Sequence, residues 1–181
     1  MNQDTYQVSD IKAHINVAVN DVTLLMDLFE LDLIEKFFEL PIEFHVTQLV
    51  IQELEEYQIL GLNKFIEIKR LTVKHLTLTE IGSLNDNYPN TIGLSQGDLS
   101  IYFYAKKLFN CLILTADNLL KKEAKRQGFE VYGILWVFEK LVQNKILSHE
   151  AARLKLNILM RMNAGITEND CNDSIKKWII V

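Results

Sequence analysis

The chain has only two cysteines and two prolines among 181 residues. Cys111 and Cys171 lie far apart, with no Cys-x-x-Cys pair and no Cys/His spacing, which excludes a zinc finger or ribbon. Cys111 begins an apolar run and is expected to serve as a small buried hydrophobe. With seven glycines and no low-complexity run there is no evident linker, and no internal repeat, so one domain over residues 1–181 is expected. No apolar run approaches ~18 residues, and Met1 to Thr5 lack the charged and apolar regions of a signal peptide. The expectation is a cytoplasmic protein with no membrane segment. An excess of positive charge is missing too: the net charge is −5 and the pI about 5.4. That argues against gripping nucleic acid through bulk charge, and leaves open an enzyme whose own site is acidic. There is no Gly-rich phosphate loop, no Gly-x-Ser-x-Gly elbow and no cysteine with a partner histidine in sequence, so nucleotide-fuelled and acyl-transfer chemistry find no support. His14, His45, His75 and His149 share no ligand spacing.

What is present is an alternation of apolar periods, with 49% hydrophobic residues to build a core. Ile15 to Val19 is short and β-branched and stops at Asn20-Asp21, a first strand. Leu24, Leu25, Leu28, Leu31, Ile34, Phe37 and Phe38 recur at helical spacing, as one helix or two short ones. Phe44 to Thr47 reads as a second strand, and a helix is expected from Gln48 through Tyr57 carrying Glu53. Asn63 to Lys69 extends the helical layer, Leu71 to Val73 is a short strand, and Thr79 opens a weak helix ending in the turn-rich Asn85 to Asn90. Ser95 to Phe109 should be helical, Cys111 to Thr115 a buried strand, Asn118 to Gln127 a helix stopped by Gly128, Phe129 to Tyr132 a strand, and Ile134 to Val142 a helix. Such alternation predicts an α/β three-layer sandwich around a parallel sheet. The tail from Ser148 reads as two further helices broken at Asn163-Ala164-Gly165, and the apolar Trp178 to Val181 should pack on the domain or on a second copy. Phe37, Phe38, Phe103, Tyr104, Phe109 and Trp136 sit at apolar helical positions and are expected in the core.

Asp98 stands in Leu94-Ser95-Gln96-Gly97-Asp98-Leu99-Ser100 at a helix start, and Asp117 closes the apolar run Cys111 to Thr115. In an open α/β sheet, residues where strands end and helices begin face the crevice at the carboxyl edge, where ligands bind. Asp21 and Glu53 can be placed at the same edge. Each acid also has a plain alternative: Asp21 and Asp117 as helix caps, Asp98 in a capping box with Ser95, and Glu53 on a solvated face with Glu55 and Glu56. Capping does not require that four acids fall on one edge of one sheet. Two carboxylates ~5 Å apart repel by roughly 3 kcal/mol at an effective dielectric of ~20, so a gathered set needs a positive partner. A hard divalent cation, Mg2+ or Mn2+, suits monodentate carboxylates and would activate a water against a phosphate ester. Thr23 and Thr115, two residues from acids, could orient a carboxylate or a water, or make local cap bonds. Asp27, Glu30, Asp32 and Glu35 read mostly as a solvated face, with Asp27 a distant candidate for the cluster. Lys121, Lys122, Lys125 and Arg126 form a basic patch that could hold an RNA backbone, or simply a solvated helix face.

Asn20-Asp21-Val22-Thr23-Leu24-Leu25-Met26-Asp27-Leu28, Leu49 to Leu54, Leu94 to Ser100 and Leu114-Thr115-Ala116-Asp117 resemble, in order and approximate spacing, the successive motifs of PIN-domain nucleases. The resemblance covers about Ile15 to Val142. It implies the PIN fold, with Asp21, Glu53, Asp98 and Asp117 as the catalytic, metal-binding acids and Thr115 as a polar helper. It further implies Mg2+- or Mn2+-dependent hydrolysis of single-stranded RNA to 5′-phosphate and 3′-hydroxyl ends. Many relatives of this kind are VapC-like toxins paired with an antitoxin, and homodimers are plausible in the family. The chain departs from the compact toxins in its helical tail from Ser148 and in the wide spacing between Glu53 and Asp98. Two other readings stand beside the ribonuclease: a non-catalytic PIN-like module that uses the tail to bind a protein or RNA, and a magnesium-dependent phosphohydrolase of small molecules. The second lacks an Asp-x-Asp signature at the first strand, where Asn20-Asp21-Val22-Thr23 stands.

Overall fold

The computed structural model describes residues 17–87, 93–108, 110–162 and 166–178. The chain opens with β1 (Val17–Asn20), α1 (Val22–Glu30), α2 (Ile34–Glu39) and β2 (Glu43–Thr47), followed by α3 (Gln48–Ile51), α4 (Glu56–Glu67) and β3 (Leu71–Lys74). Then come α5 (Leu78–Gly82), α6 (Leu84–Asn87), α7 (Gln96–Ala105), β4 (Cys111–Leu114), α8 (Asn118–Arg126), β5 (Glu130–Tyr132) and α9 (Ile134–Gln143). The tail supplies α10 (His149–Met162) and α11 (Glu168–Trp178). The expected break at 163–165, residues 15 and 16 of the first strand, and Phe109 lie outside the described residues.

The five strands form one all-parallel sheet in the order β3-β2-β1-β4-β5. The chain winds outward from β1 to β3, then returns to the other side of β1 for β4, which makes the carboxyl ends of β1 and β4 the point where the winding reverses. Right-handed crossovers therefore place the β1–β2 and β2–β3 helices on one face and the helices around β4 on the other. α7 lies across β1, β2 and β4, while α9 packs on α2, α10 and α11. The sheet is buried on both faces, as its uninterrupted apolar strands require: Ala18, Val19, Phe44, Val46, Ile113 and Leu114 are all fully buried.

The long helical pattern after β1 divides at Asp32, whose φ of 50° ends α1. Asp32 N–H donates to the Phe29 carbonyl and Leu33 N–H to the Leu28 carbonyl, the paired bonds of a Schellman stop. A second division corrects the expected helix from Gln48 through Tyr57: it breaks after Ile51, and Glu53 lies in the turn before α4 rather than on a helix face. The reason is local competition: Gln58 Oε1 accepts the Glu55 N–H at 2.9 Å and starts a new helix. The Gln48 side chain, meanwhile, is bonded to both backbone groups of Leu76. At the far end Trp178 is 2% exposed and stacks with Phe138, so the terminal aromatic packs on the domain itself. Phe37, Phe38 and Tyr104 are buried as expected, and Phe103 and Trp136 partly so. Cys111 is half-buried, its thiol donating to the Ala105 carbonyl at 3.4 Å.

Candidate active site

Asp21 leaves β1 and caps α1, and its 1% exposure makes it the most buried of the acids. The ladder runs on past the strands: Asp21 N–H donates to the Leu114 carbonyl and Thr115 N–H to the Tyr132 carbonyl. Asp21 and Thr115 thereby become neighbours at the winding reversal. The Asp21 carboxylate accepts from Val22 N–H at 2.6 Å, Thr23 Oγ1 at 2.5 Å and Thr115 Oγ1 at 2.6 Å. Thr23 Oγ1 in turn accepts from Ala116 N–H, and Thr115 Oγ1 from Asp117 N–H. Both threonines are thus wired between the Asp21 carboxylate and the β4–α8 turn that carries Asp117. Burial still outweighs these three donors, and with the Asp98 charge it raises the Asp21 pKa to about 6.

Asp98 reaches the same edge because α7 is pinned there. Ser100 Oγ donates to the Gly97 carbonyl, so the Thr47 hydroxyl at the end of β2 must donate to Ser100 Oγ, at 2.6 Å. Ser95 and Asp98 cap α7 reciprocally: Ser95 N–H donates to Asp98 Oδ2 at 2.8 Å, and Asp98 N–H to Ser95 Oγ at 3.0 Å. Glu53 leans over this helix start from its turn. Its carboxylate accepts from Ser95 Oγ at 3.3 Å and from the Gly97 backbone N–H. Asp117 caps α8, accepting from Leu120 N–H at 2.6 Å.

The four acids share one field. Burial raises the Asp98 pKa, with a further push from Asp117; burial raises that of Glu53, with a further push from Asp98. None of the ion pairs among the described residues involves Asp21, Glu53, Asp98 or Asp117. Their oxygens are nonetheless turned onto hydrogen-bond donors, and among the described residues no three acids converge at ligand distance. In donor type the set suits a hard divalent cation: carboxylate oxygens from separate elements, mutually repelling and in no ion pair among the described residues. Asp98 and Asp117 make the cap bonds that the capping reading expects, and the same two carboxylates repel each other across the edge.

The remaining sequence candidates separate. Asp27 is half-buried, with one oxygen unpartnered among the described residues and a pKa raised to about 6 by burial alone; it feels none of the cluster charges. On α8, Arg126 is paired with Glu123, Lys122 and Lys125 are exposed, and Lys121 lines a cavity of about 220 Å³ together with Thr115, Ala116, Gly133 and Asp170. His45 is buried between Tyr104 and Glu43, away from any ligand role. Sequence reasoning missed Asn20, fully buried beside Asp21 with its amide donating to the His45 carbonyl and its Oδ1 unpartnered among the described residues. It also missed Gly97, whose signal was a glycine in the first turn of a helix, where propensity disfavours it.

A family model described as a PIN domain, DUF3368, matches residues 17–179. The chain belongs to the PIN-domain family. Among curated proteins none matches it significantly. The PIN domain is a nuclease-like fold, and the match spans the sheet and most of the helical tail as well as the four motifs. No helix among the described residues is long and apolar enough to cross a membrane.

Proposed function

We propose that this PIN domain is a divalent-metal-dependent endoribonuclease that hydrolyses single-stranded RNA at the carboxyl ends of β1 and β4. The observation that carries the reading is a chain of charge interactions: Asp98 acts on both Asp21 and Glu53, Asp117 acts on Asp98, and no ion pair among the described residues neutralises any of the four. Asp21, Asp98 and Asp117 would hold Mg2+ or Mn2+, and Glu53 would bind it or position the attacking water. When bound, the ion supplies a nucleophilic water at neutral pH and relieves the charge on the phosphoryl oxygens. Attack by water, with the bond from phosphorus to the ribose 3′-oxygen breaking and that oxygen leaving with a proton, would give a 5′-phosphate and a 3′-hydroxyl.

The protein's own part is placement. Thr23 and Thr115 donate to the Asp21 carboxylate and offset part of its desolvation cost. Lys121, which shares the cavity with Thr115 and the Asp170 carboxylate, would meet a backbone phosphate of the strand, and Lys122 and Lys125 would extend that charge along α8. A role as the toxin of an antitoxin pair, and a homodimer, belong to this proposal as consequences to be tested with it. The deciding assay is cleavage of a labelled single-stranded RNA with Mn2+, against chelator and Asp98→Asn controls, with end-group analysis of the products. Cleavage that survives chelation, or that Asp98→Asn leaves unchanged, refutes it.

A further inference from the structure

Glu53 differs from the other three acids in how it is held. Asp21, Asp98 and Asp117 are each fixed within their own helix start, whereas Glu53 sits in an exposed turn between α3 and α4. What joins its carboxylate to the cluster comes from the first turn of α7: Ser95 Oγ and the Gly97 N–H. A side chain at Gly97 would occupy the place of the Glu53 carboxylate itself, with the Glu53 Cδ 3.0 Å and Ser95 Oγ 3.3 Å from the added Cβ. The φ of Gly97 is not in the left-handed region, and the residue lies inside a helix, where glycine is a poor choice by propensity. The reason for glycine at this position is therefore room for a carboxylate from elsewhere in the chain.

We propose that Gly97 and Ser95 are positioning residues: the bare backbone at Gly97 and the Ser95 hydroxyl form a seat that brings Glu53 to the other three acids. The inference rests on the metal-site reading only for its consequence, since the seat is a property of the metal-free protein. The atom displaced by a Cβ is the far end of a flexible side chain, so Gly97→Ala should keep the fold and move Glu53. Ser95→Ala would also remove the α7 cap and lose stability for that separate reason, so Gly97 is the cleaner probe.

Two measurements test it. In chelator-treated protein at one fixed pH, the Gly97 amide proton followed by NMR should move upfield in Glu53→Ala, which removes its carboxylate acceptor, and should stay in place in Glu56→Ala. Mn2+ binding by calorimetry, without RNA, should then fall by a similar factor, at least about tenfold by comparison with changes at metal-orienting groups, in Gly97→Ala and Glu53→Gln, and no further in the double variant. A merely structural Gly97 would give losses that multiply in the double variant. A Gly97 amide that stays in place in Glu53→Ala overturns the seat, as does multiplicative loss. Should the amide move as expected while Mn2+ fails to bind even the parent, the seat stands and the metal reading falls.

Discussion

Replacing Asp21 by Asn should change how the stability of the metal-free protein depends on pH. Asp21 has an ordinary pKa of 3.8, raised in the fold to about 6 chiefly by burial. Between those values the native protein holds a proton that the unfolded chain has released. Its contribution to stability is therefore fully present below pH 3.8 and is lost as pH rises through about 6. A shift of about two units corresponds to about 3 kcal/mol. Asp21 is only 1% exposed, so solvent screening removes little of this. In a chain of this size about 3 kcal/mol corresponds to roughly 6–12 °C in Tm. The experiment is urea unfolding with chelator present, at intervals from pH 4 to 7.5, for the parent and for Asp21→Asn. Asp27, also raised to about 6, is common to both proteins and cancels in the difference. The parent should lose stability relative to Asp21→Asn as pH rises, most steeply between pH 4 and 6. Parallel curves for the two proteins would refute the claim that Asp21 is a desolvated carboxylate, and with it the idea that this edge awaits a cation.

Three further outcomes follow from the same geometry. Thr115→Val deletes one of the donors to the buried Asp21, a charge-assisted bond of about 1.5–3 kcal/mol; the pH midpoint of the Asp21 contribution should move higher still, read from the same unfolding series. Asp98→Asn should abolish RNA cleavage while circular dichroism and the unfolding midpoint stay close to the parent, because its Ser95 cap bond can be kept by the amide oxygen. Trp178→Ala should cost about 3–5 kcal/mol in denaturant unfolding, since the ring is 2% exposed and stacked on Phe138; a loss below about 1 kcal/mol would show that the tail is not part of the cooperative fold.

The parts of this structure legible in the sequence are those governed by nearby residues. Val17 to Asn20 and Cys111 to Leu114 read as strands because their apolar runs are short and β-branched or bounded by turns, and the parallel sheet follows from helices alternating with them. Asp21, Asp98 and Asp117 were placed correctly at strand ends and helix starts because a cap is a local event. Glu53 was misplaced on a helix, since the spacing of Leu49, Val50, Leu54 and Tyr57 continues through the break that Gln58 and Glu55 impose. The seat at Gly97 was out of reach for a different reason. Glu53 and Ser95 are 42 residues apart, and Thr115 and Asp21 are 94 apart, so no window along the chain contains both partners. The same holds for the Thr47–Ser100 bond that sets α7 against the edge.

Manganese binding to the metal-free protein, measured by calorimetry at pH 7 for the parent and for Asp98→Asn, tests the central claim most directly. The account predicts binding by the parent, a rise in melting temperature that grows with Mn2+ concentration by mass action, and loss of both in Asp98→Asn. A parent that neither binds Mn2+ nor melts higher in its presence, or an Asp98→Asn protein that binds it as well, would contradict the account.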